Sequence, residues 1–198
     1  MILSKEATDC LLLQRSCLVG VPHDELIPRY LQSCKVSADI ISNEIETAPR
    51  TAFDMGGGLG GVSVCLSKTW PECHFTVADY DYTDKTKRTC SYDITGTFAA
   101  YNSLSATKEM LDVNGVNGEV ADLAAMPKTI SRYDLIFSVL SWGFHYPVST
   151  YAGWSALFGK TLIIDCRHGT GARYSLLKHW DNVELIMAYG KHEWFKCT

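Results

Sequence analysis

Three carboxylates close three separate apolar runs: Asp54 in TAFDMG, Asp79 in HFTVADYD and Asp122 in GEVADL. Between the first two, residues 56–61 hold five glycines, broken only by Leu59. Glycine loses more backbone freedom on folding than any other residue, so such a cluster marks a sharp turn or a close approach of main chain to a ligand. Further on, Ser141-Trp142-Gly143-Phe144-His145-Tyr146-Pro147 sets one imidazole among three aromatic rings, and Asp165-Cys166-Arg167-His168 ends another apolar run. An unperturbed imidazole titrates near neutral pH, so His145 is a candidate base for deprotonating a hydroxyl, with His168 as its rival. Trp142, Phe144 and Tyr146 are a candidate wall for a ring-shaped acceptor, and Arg167 a candidate contact for an anionic or hydroxyl-rich one.

These residues act together only if the chain brings them to one edge. TAFDMG (51–56) reads as a short buried strand, VSVCLSKTW (62–70) as a helix stopped by Pro71, and HFTVADYD (74–81) as a second strand. A polar stretch, 82–98, precedes a helix over 99–115 that ends at Asn114-Gly115, a good C-terminal stop. Tyr101-Asn102 opens that helix, and with the polar stretch is placed to cover the site and touch the acceptor. Further strands are expected at 118–123, 133–142, 161–167, 183–190 and 193–198. Alternating strands and helices imply a mostly parallel, doubly wound sheet. The last two strands, joined by Gly190-Lys191-His192, are too close for a crossover and must form an antiparallel hairpin. Residues 1–48 read as helical, with Tyr30, Leu31, Cys34, Ala38, Ile41 and Ile45 at helical spacing, and are expected to cap a domain spanning 49–198.

Open α/β sheets bind ligands in the crevice beyond the carboxyl ends of their strands, where the glycine loop falls. Two templates fit it. Gly56-x-Gly58-x-x-Gly61 matches a dinucleotide fingerprint, and Asp54-x-Gly56-x-Gly58-x-Gly60 an acid-led glycine pattern. Asp79, 19 residues past Gly60, stands where a ribose hydroxyl pair is held, which suits NAD and S-adenosylmethionine alike. Asp54 discriminates: a carboxylate inside the turn repels a pyrophosphate and favours a cationic group. Asp122 offers a polar contact for an adenine amino group.

On these residues the sequence resembles class I, Rossmann-like S-adenosylmethionine-dependent methyltransferases, over about residues 50–198. Asp54, Gly56, Gly58 and Gly60 match that family's first motif, Asp79 its ribose-binding acid and Asp122-Leu123 its adenine contact. YDLIFSVLSW matches its fourth strand, whose end lies beside the transferred methyl. The resemblance implies a sheet ordered 3-2-1-4-5-7-6 with the last strand antiparallel, and S-adenosylmethionine as cofactor. The implied cofactor set is Asp54, Gly56, Gly57, Gly58, Gly60, Asp79, Tyr80, Asp122, Leu123 and Ser138. More loosely, SWGFHYP and IIDCRHGTG resemble sugar O-methyltransferases.

Composition narrows the acceptor. The 198 residues are 46% apolar and 20% charged, with a formal net charge of −4 and no Lys/Arg run. That argues against a nucleic-acid partner. So does the absence of an Asn/Asp-Pro-Pro-aromatic motif, a Pro-Cys nucleophile, or an Asp ending the fourth strand. No signal peptide or membrane span is apparent, and eight cysteines without a CxxC or zinc-finger spacing read as reduced thiols in a cytoplasmic protein with no metal site. The expected activity is methyl transfer to a hydroxyl of a small molecule, such as a sugar. The alternatives are an NAD(P)-linked oxidoreductase and a non-catalytic S-adenosylmethionine-binding module.

Overall fold

The computed structural model describes residues 1–13, 22, 24–81, 103–125, 132–144 and 147–198. Helices α1 (Lys5–Leu13) and α2 (Leu26–Asn43) lead into strand β1 (Thr51–Met55), helix α3 (Gly61–Thr69) and strand β2 (His74–Asp79). Helix α4 (Leu104–Val113), β3 (Gly118–Asp122), β4 (Tyr133–Ser138), α5 (Ala152–Phe158) and β5 (Gly159–Arg167) follow. The chain then runs through α6 (Ala172–Leu176), β6 (Val183–Tyr189) and β7 (His192–Cys197).

The seven strands form one sheet in the order β3-β2-β1-β4-β5-β7-β6. Pairing is parallel from β3 to β5, and β7 runs antiparallel to both β5 and β6. The central strands β1, β2 and β4 are buried almost end to end, as expected where helices cover both faces. On one face, Ala7 and Leu11 of α1, Ile41 of α2, Val64 and Leu66 of α3 and Met110 of α4 share one apolar cluster with Phe75, Phe137, Ile163 and Trp194. On the other, Ala152 of α5 and Leu176 of α6 pack with Phe53, Met55, Ile136, Ile164 and Phe195. The N-terminal helices therefore contribute to the core of the sheet. Among the described residues no helix is long and apolar enough to cross a membrane.

Three boundaries depart from the sequence reading. The fourth strand stops at Ser138, not at Trp142, because Leu140 takes φ 53° and Gly143 φ 92°, folding residues 139–143 into a turn. The fifth strand begins at Gly159, directly after α5, a helix too short to show a period. The final strand includes His192, which the Gly190-Lys191-His192 pattern places in the connecting turn. The polar stretch 82–98, with the start of the helix read after it, lies outside the described residues, and α4 itself opens on Ser103, whose hydroxyl accepts from the Ala106 N–H.

Candidate functional site

The glycine turn is stitched to β2. The Gly56 and Gly57 N–H groups both donate to the Ala78 carbonyl, at 2.7 and 3.1 Å. Gly56, Gly58 and Gly60 take φ of 70°, 56° and 75°, values that side chains resist. A Cβ on Gly56 would also lie 1.9 Å from Ser141 Oγ, so this glycine lets the β1 turn touch the turn after β4. A Cβ on Gly58 would meet no described residue within 4 Å, so among the described residues that side of the loop is open. Gly61, the third glycine of the dinucleotide template, has a packing role, since a Cβ there would be 2.3 Å from the Tyr30 hydroxyl and 2.6 Å from Cys34 Sγ. Helix α2 thus docks on the first turn of α3, and the Gly61 N–H bonds to the Tyr30 hydroxyl. The sequence showed Tyr30 only as one member of a helical apolar stripe.

Two carboxylates meet this turn. Asp54 is 2% exposed and accepts the Ser63 hydroxyl at 2.7 Å. Burial pushes its carboxyl up to about 7; Ser63 pulls it back, and the nearby Asp79 pushes it further. Asp79 accepts the Gly58 N–H at 2.7 Å on one oxygen and the Tyr80 N–H at 2.7 Å on the other. Burial raises Asp79 to about 6 against those two bonds. Among the described residues, no Lys, Arg or His pairs with either acid. Asp122 ends β3 beside Asp79 in register and accepts the Ala124 N–H at 2.8 Å. Leu123 is 3% exposed, in the core. The Tyr80 hydroxyl lies 2.7 Å from that of Tyr151.

The turn after β4 is held from both sides. Ser138 Oγ donates to the Met55 carbonyl at 2.7 Å and accepts the Trp142 N–H at 3.1 Å, tying β4 to the end of β1. Trp142 does not form an acceptor wall. It is 1% exposed, its indole N–H donates to the Val148 carbonyl at 3.0 Å, and its ring packs edge-on against Tyr151. A large ring with its one donor satisfied belongs to the core. Phe144 is half-buried, with the Arg167 guanidinium 5.6 Å from its ring centroid. His168 is exposed after β5, its Nδ1 3.0 Å from Glu193. Tyr101, Asn102, His145 and Tyr146 lie outside the described residues.

One pair went unnoticed in the sequence. His192 Nδ1 lies 3.0 and 3.1 Å from the two carboxylate oxygens of Asp165. The Leu140 N–H also donates to that carboxylate, and burial raises it to about 6 although His192 and Leu140 pull it back. Leu140 is the one described non-glycine residue with positive φ, so the strained corner after β4 is pinned by Asp165. The only sequence signal was that a hairpin returns β7 antiparallel to β5, which opposes His192 to Arg167 and brings both near Asp165. Tyr174 on α6 and Lys178 just beyond it make a Tyr-x-x-x-Lys pair, but Tyr174 is 70% exposed and the Lys178 ammonium lies over its ring, 4.6 Å from the centroid.

Strand registers place these groups along one edge. Asp54 pairs with Val77 and Phe137, and Phe137 with Ile163. One pleat further on, the same face carries Asp79 on β2, Gly56 after β1, Val139 after β4 and Asp165 on β5. Asp79 and Asp165 are therefore level, three strand spacings or about 14 Å apart, with the glycine turn and the end of β4 between them.

No protein-family profile matches the chain, and no curated protein does. Solved structures match its fold. A methyltransferase from Pyrococcus furiosus superposes with TM-score 0.59 at 11% identity, covering 82% of this chain and 80% of that one. Human N-acetylserotonin methyltransferase, solved with S-adenosylmethionine, gives 0.57 at 11% identity over 93% of this chain and 62% of that one. The T. thermophilus 16S rRNA N2 G1207 methyltransferase, solved with S-adenosylmethionine and guanosine, gives 0.56 at 10% identity over 91% and 44%. The chain thus spans less than two thirds of the latter two. At these identities the likeness is one of fold: the Rossmann-like sheet of S-adenosylmethionine-dependent methyltransferases, with the predicted order and reversed strand.

Proposed function

We infer that the chain is an S-adenosylmethionine-dependent methyltransferase that methylates a hydroxyl of a small molecule, such as a sugar. The observation that carries this reading is the pair of raised carboxylates, Asp54 and Asp79, at a glycine turn whose Gly58 side is open. Buried acids without a cationic partner are costly, and a ligand bearing positive charge relieves that cost. S-adenosylmethionine brings a sulfonium, an ammonium and a ribose diol. A dinucleotide would bring a pyrophosphate to the same acids.

The residues fit that ligand. Asp79, level with Asp122 on β3, would hold the ribose hydroxyls, with Asp122 nearest the adenine. The Gly56–Gly60 main chain would line the amino-acid portion beside Asp54, and Tyr80 would flank the nucleoside. Ser138 would act indirectly, by fixing the β4 turn. When bound, the cofactor supplies a methyl carbon activated by positive sulfur. The chain's task is then to orient an acceptor in line with it, an effect worth on the order of 7–11 kcal/mol, and to accept the acceptor's proton. Phe144 and Arg167 would bound the acceptor side, with His145, Tyr146, Tyr101 and Asn102 as further candidates. Residues 1–48, anchored to the turn through Tyr30, would cap the pocket.

An acceptor of small size is favoured by the net charge of −4 and the absence of a basic run. One fold neighbour is an rRNA methyltransferase, so RNA belongs in the test. Thermal unfolding with S-adenosylmethionine, S-adenosylhomocysteine or NAD, each at a hundredfold excess over Kd, is the deciding measurement. Binding at that excess adds about 2.7 kcal/mol, or roughly 5–11 °C for a domain of this size. A shift with the two sulfur nucleosides is expected. A shift with NAD alone would establish the oxidoreductase, and cofactor binding without transfer to sugars, catechols or RNA would establish the binding module.

A further inference from the structure

Beyond the cofactor acids, the most organised polar group at the strand ends is the Asp165–His192 pair. Its geometry is restrictive. Asp165 has a side chain 1% exposed and takes its hydrogen bonds from two directions, His192 Nδ1 on β7 and the Leu140 N–H in the β4 turn. With two carboxylate oxygens facing it, Nδ1 carries the proton, which leaves the lone pair of a neutral ring on Nε2. No described residue bonds Nε2, and the His192 side chain keeps 17% of its surface open. The ring is clamped flat: Tyr189 stacks on it with centroids 4.8 Å apart and planes at 18°, and Phe144 lies 5.1 Å away. The charged groups nearby face other partners, although the buried Arg167 Nε has no hydrogen-bond partner among the described residues. Asp165 binds the ring, Arg167 lies over Phe144, and Glu193 engages His168. A clamped imidazole with a buried carboxylate on one nitrogen and an opening at the other is arranged for proton transfer.

Its position completes the argument. Asp165 stands level with Asp79 on the same sheet face, about 14 Å across it, with the end of β4 in between. A nucleoside held at Asp79 would have the glycine turn and the end of β4 between it and Asp165. His168 also has a carboxylate on Nδ1, from Glu193, but its side chain is 65% exposed, so its ring is not held as that of His192 is.

We propose that His192, held in position by Asp165, is the base that deprotonates the acceptor hydroxyl. The proposal rests on the methyltransferase reading above. The acceptor O–H proton passes to His192 Nε2 as the oxygen lone pair forms the new C–O bond. The methyl–sulfur bond breaks with its electron pair remaining on sulfur, so the sulfonium becomes a neutral thioether. The positive charge ends on the His192 imidazolium, beside the Asp165 carboxylate, and the proton then leaves to solvent. Asp165 is a positioning residue in this scheme: it sets the tautomer and the ring plane.

The test pairs ¹⁵N NMR of the imidazoles with transfer of tritiated methyl from S-adenosylmethionine to glucose, glucosamine and catechol. Calorimetry with S-adenosylmethionine is run on the wild type and every variant. In the wild type, His192 is expected as the Nδ1–H tautomer, and Asp165→Asn is expected to abolish that preference. The His192 ring nitrogens should resonate differently in the S-adenosylmethionine and S-adenosylhomocysteine complexes, because only the former places a sulfonium nearby. With any acceptor turned over, His192→Gln should lower kcat about 10²–10⁴-fold while leaving S-adenosylmethionine affinity within threefold. His179→Gln, a remote imidazole, should change neither. Retained kcat in His192→Gln overturns the proposal. So do identical His192 resonances in the two complexes, and this arm decides the matter if none of the acceptors is methylated. A wild type that does not bind S-adenosylmethionine removes the methyltransferase reading and the base with it; binding with a silent His192 removes the base alone.

Discussion

Asp54→Asn isolates the cost of keeping a carboxylate at the glycine turn. Asp54 is 2% exposed, and burial moves it from an ordinary 3.8 to about 7. Between those values the folded protein holds a proton that the unfolded chain has released. Stability therefore falls as pH rises from about 4 to about 7, and is level above that. For a single site with these two values, raising the pH from 5 to 8 costs about 2–3 kcal/mol, at about 1.36 kcal/mol per unit. In a domain of this size that is roughly 5–10 °C in Tm. Asparagine keeps an oxygen for the Ser63 hydroxyl but does not titrate. Urea unfolding at pH 5 and pH 8 is the assay. Asp165 and the other acids that do not touch Asp54 contribute to both proteins and cancel in the difference, whereas Asp79, coupled to Asp54, cancels only in part. The variant should match the wild type within about 1 kcal/mol at pH 5 and exceed it by about 2–3 kcal/mol at pH 8. Parallel pH profiles for the two proteins would refute the reasoning, because Asp54 would then be charged in the folded state at no cost.

The same acids set the pH dependence of cofactor binding with the opposite sign. A cationic ligand favours the ionised carboxylate, so the Kd for S-adenosylmethionine should fall about tenfold between pH 6 and pH 8, with proton release visible by calorimetry in buffers of different ionisation enthalpy. Gly56→Ala should lower the urea midpoint, since its Cβ would sit 1.9 Å from Ser141 Oγ; adding Ser141→Gly should recover the clash and leave about 1–2 kcal/mol of left-handed strain. Gly61→Ala normally gains stability in a helix, but here the 2.3 Å approach to the Tyr30 hydroxyl reverses the sign, so Tm should fall. Ser138→Ala leaves the Met55 carbonyl and the Trp142 N–H without their bonds, and should cost about 1–3 kcal/mol by denaturant unfolding.

The sheet was legible because its strands are short apolar runs set apart by turn residues, and because the 190–192 connection permits only a reversed pair. The meeting of Asp54 and Asp79 at the glycine turn was legible because they end those runs at fixed distances from the glycines. Less was legible where a role depends on what folding brings together. Trp142 reads as the end of the fourth strand and part of a candidate acceptor wall, yet Leu140 at φ 53° turns the chain so that the indole enters the core. Gly61 reads as part of a phosphate fingerprint, yet its lack of a Cβ admits Tyr30 from a helix some thirty residues earlier. His192 reads as a turn residue, and Asp165, 27 positions away, becomes its partner only through the β5–β7 register.

The reversal of β7 has a practical corollary for handling the protein. Six strands deliver their last residues to the functional edge, whereas β7 delivers its first. The chain therefore departs from that edge after His192 and reaches Cys197, about 17 Å away, at the opposite rim. The other end emerges on the same rim, where the Ile2 N–H meets the Asn114 side chain just past α4. Affinity tags, fluorophores or surface tethers joined at either end thus face away from the glycine turn and from His192. A sensor or immobilised form built that way leaves the edge that carries the glycine turn free.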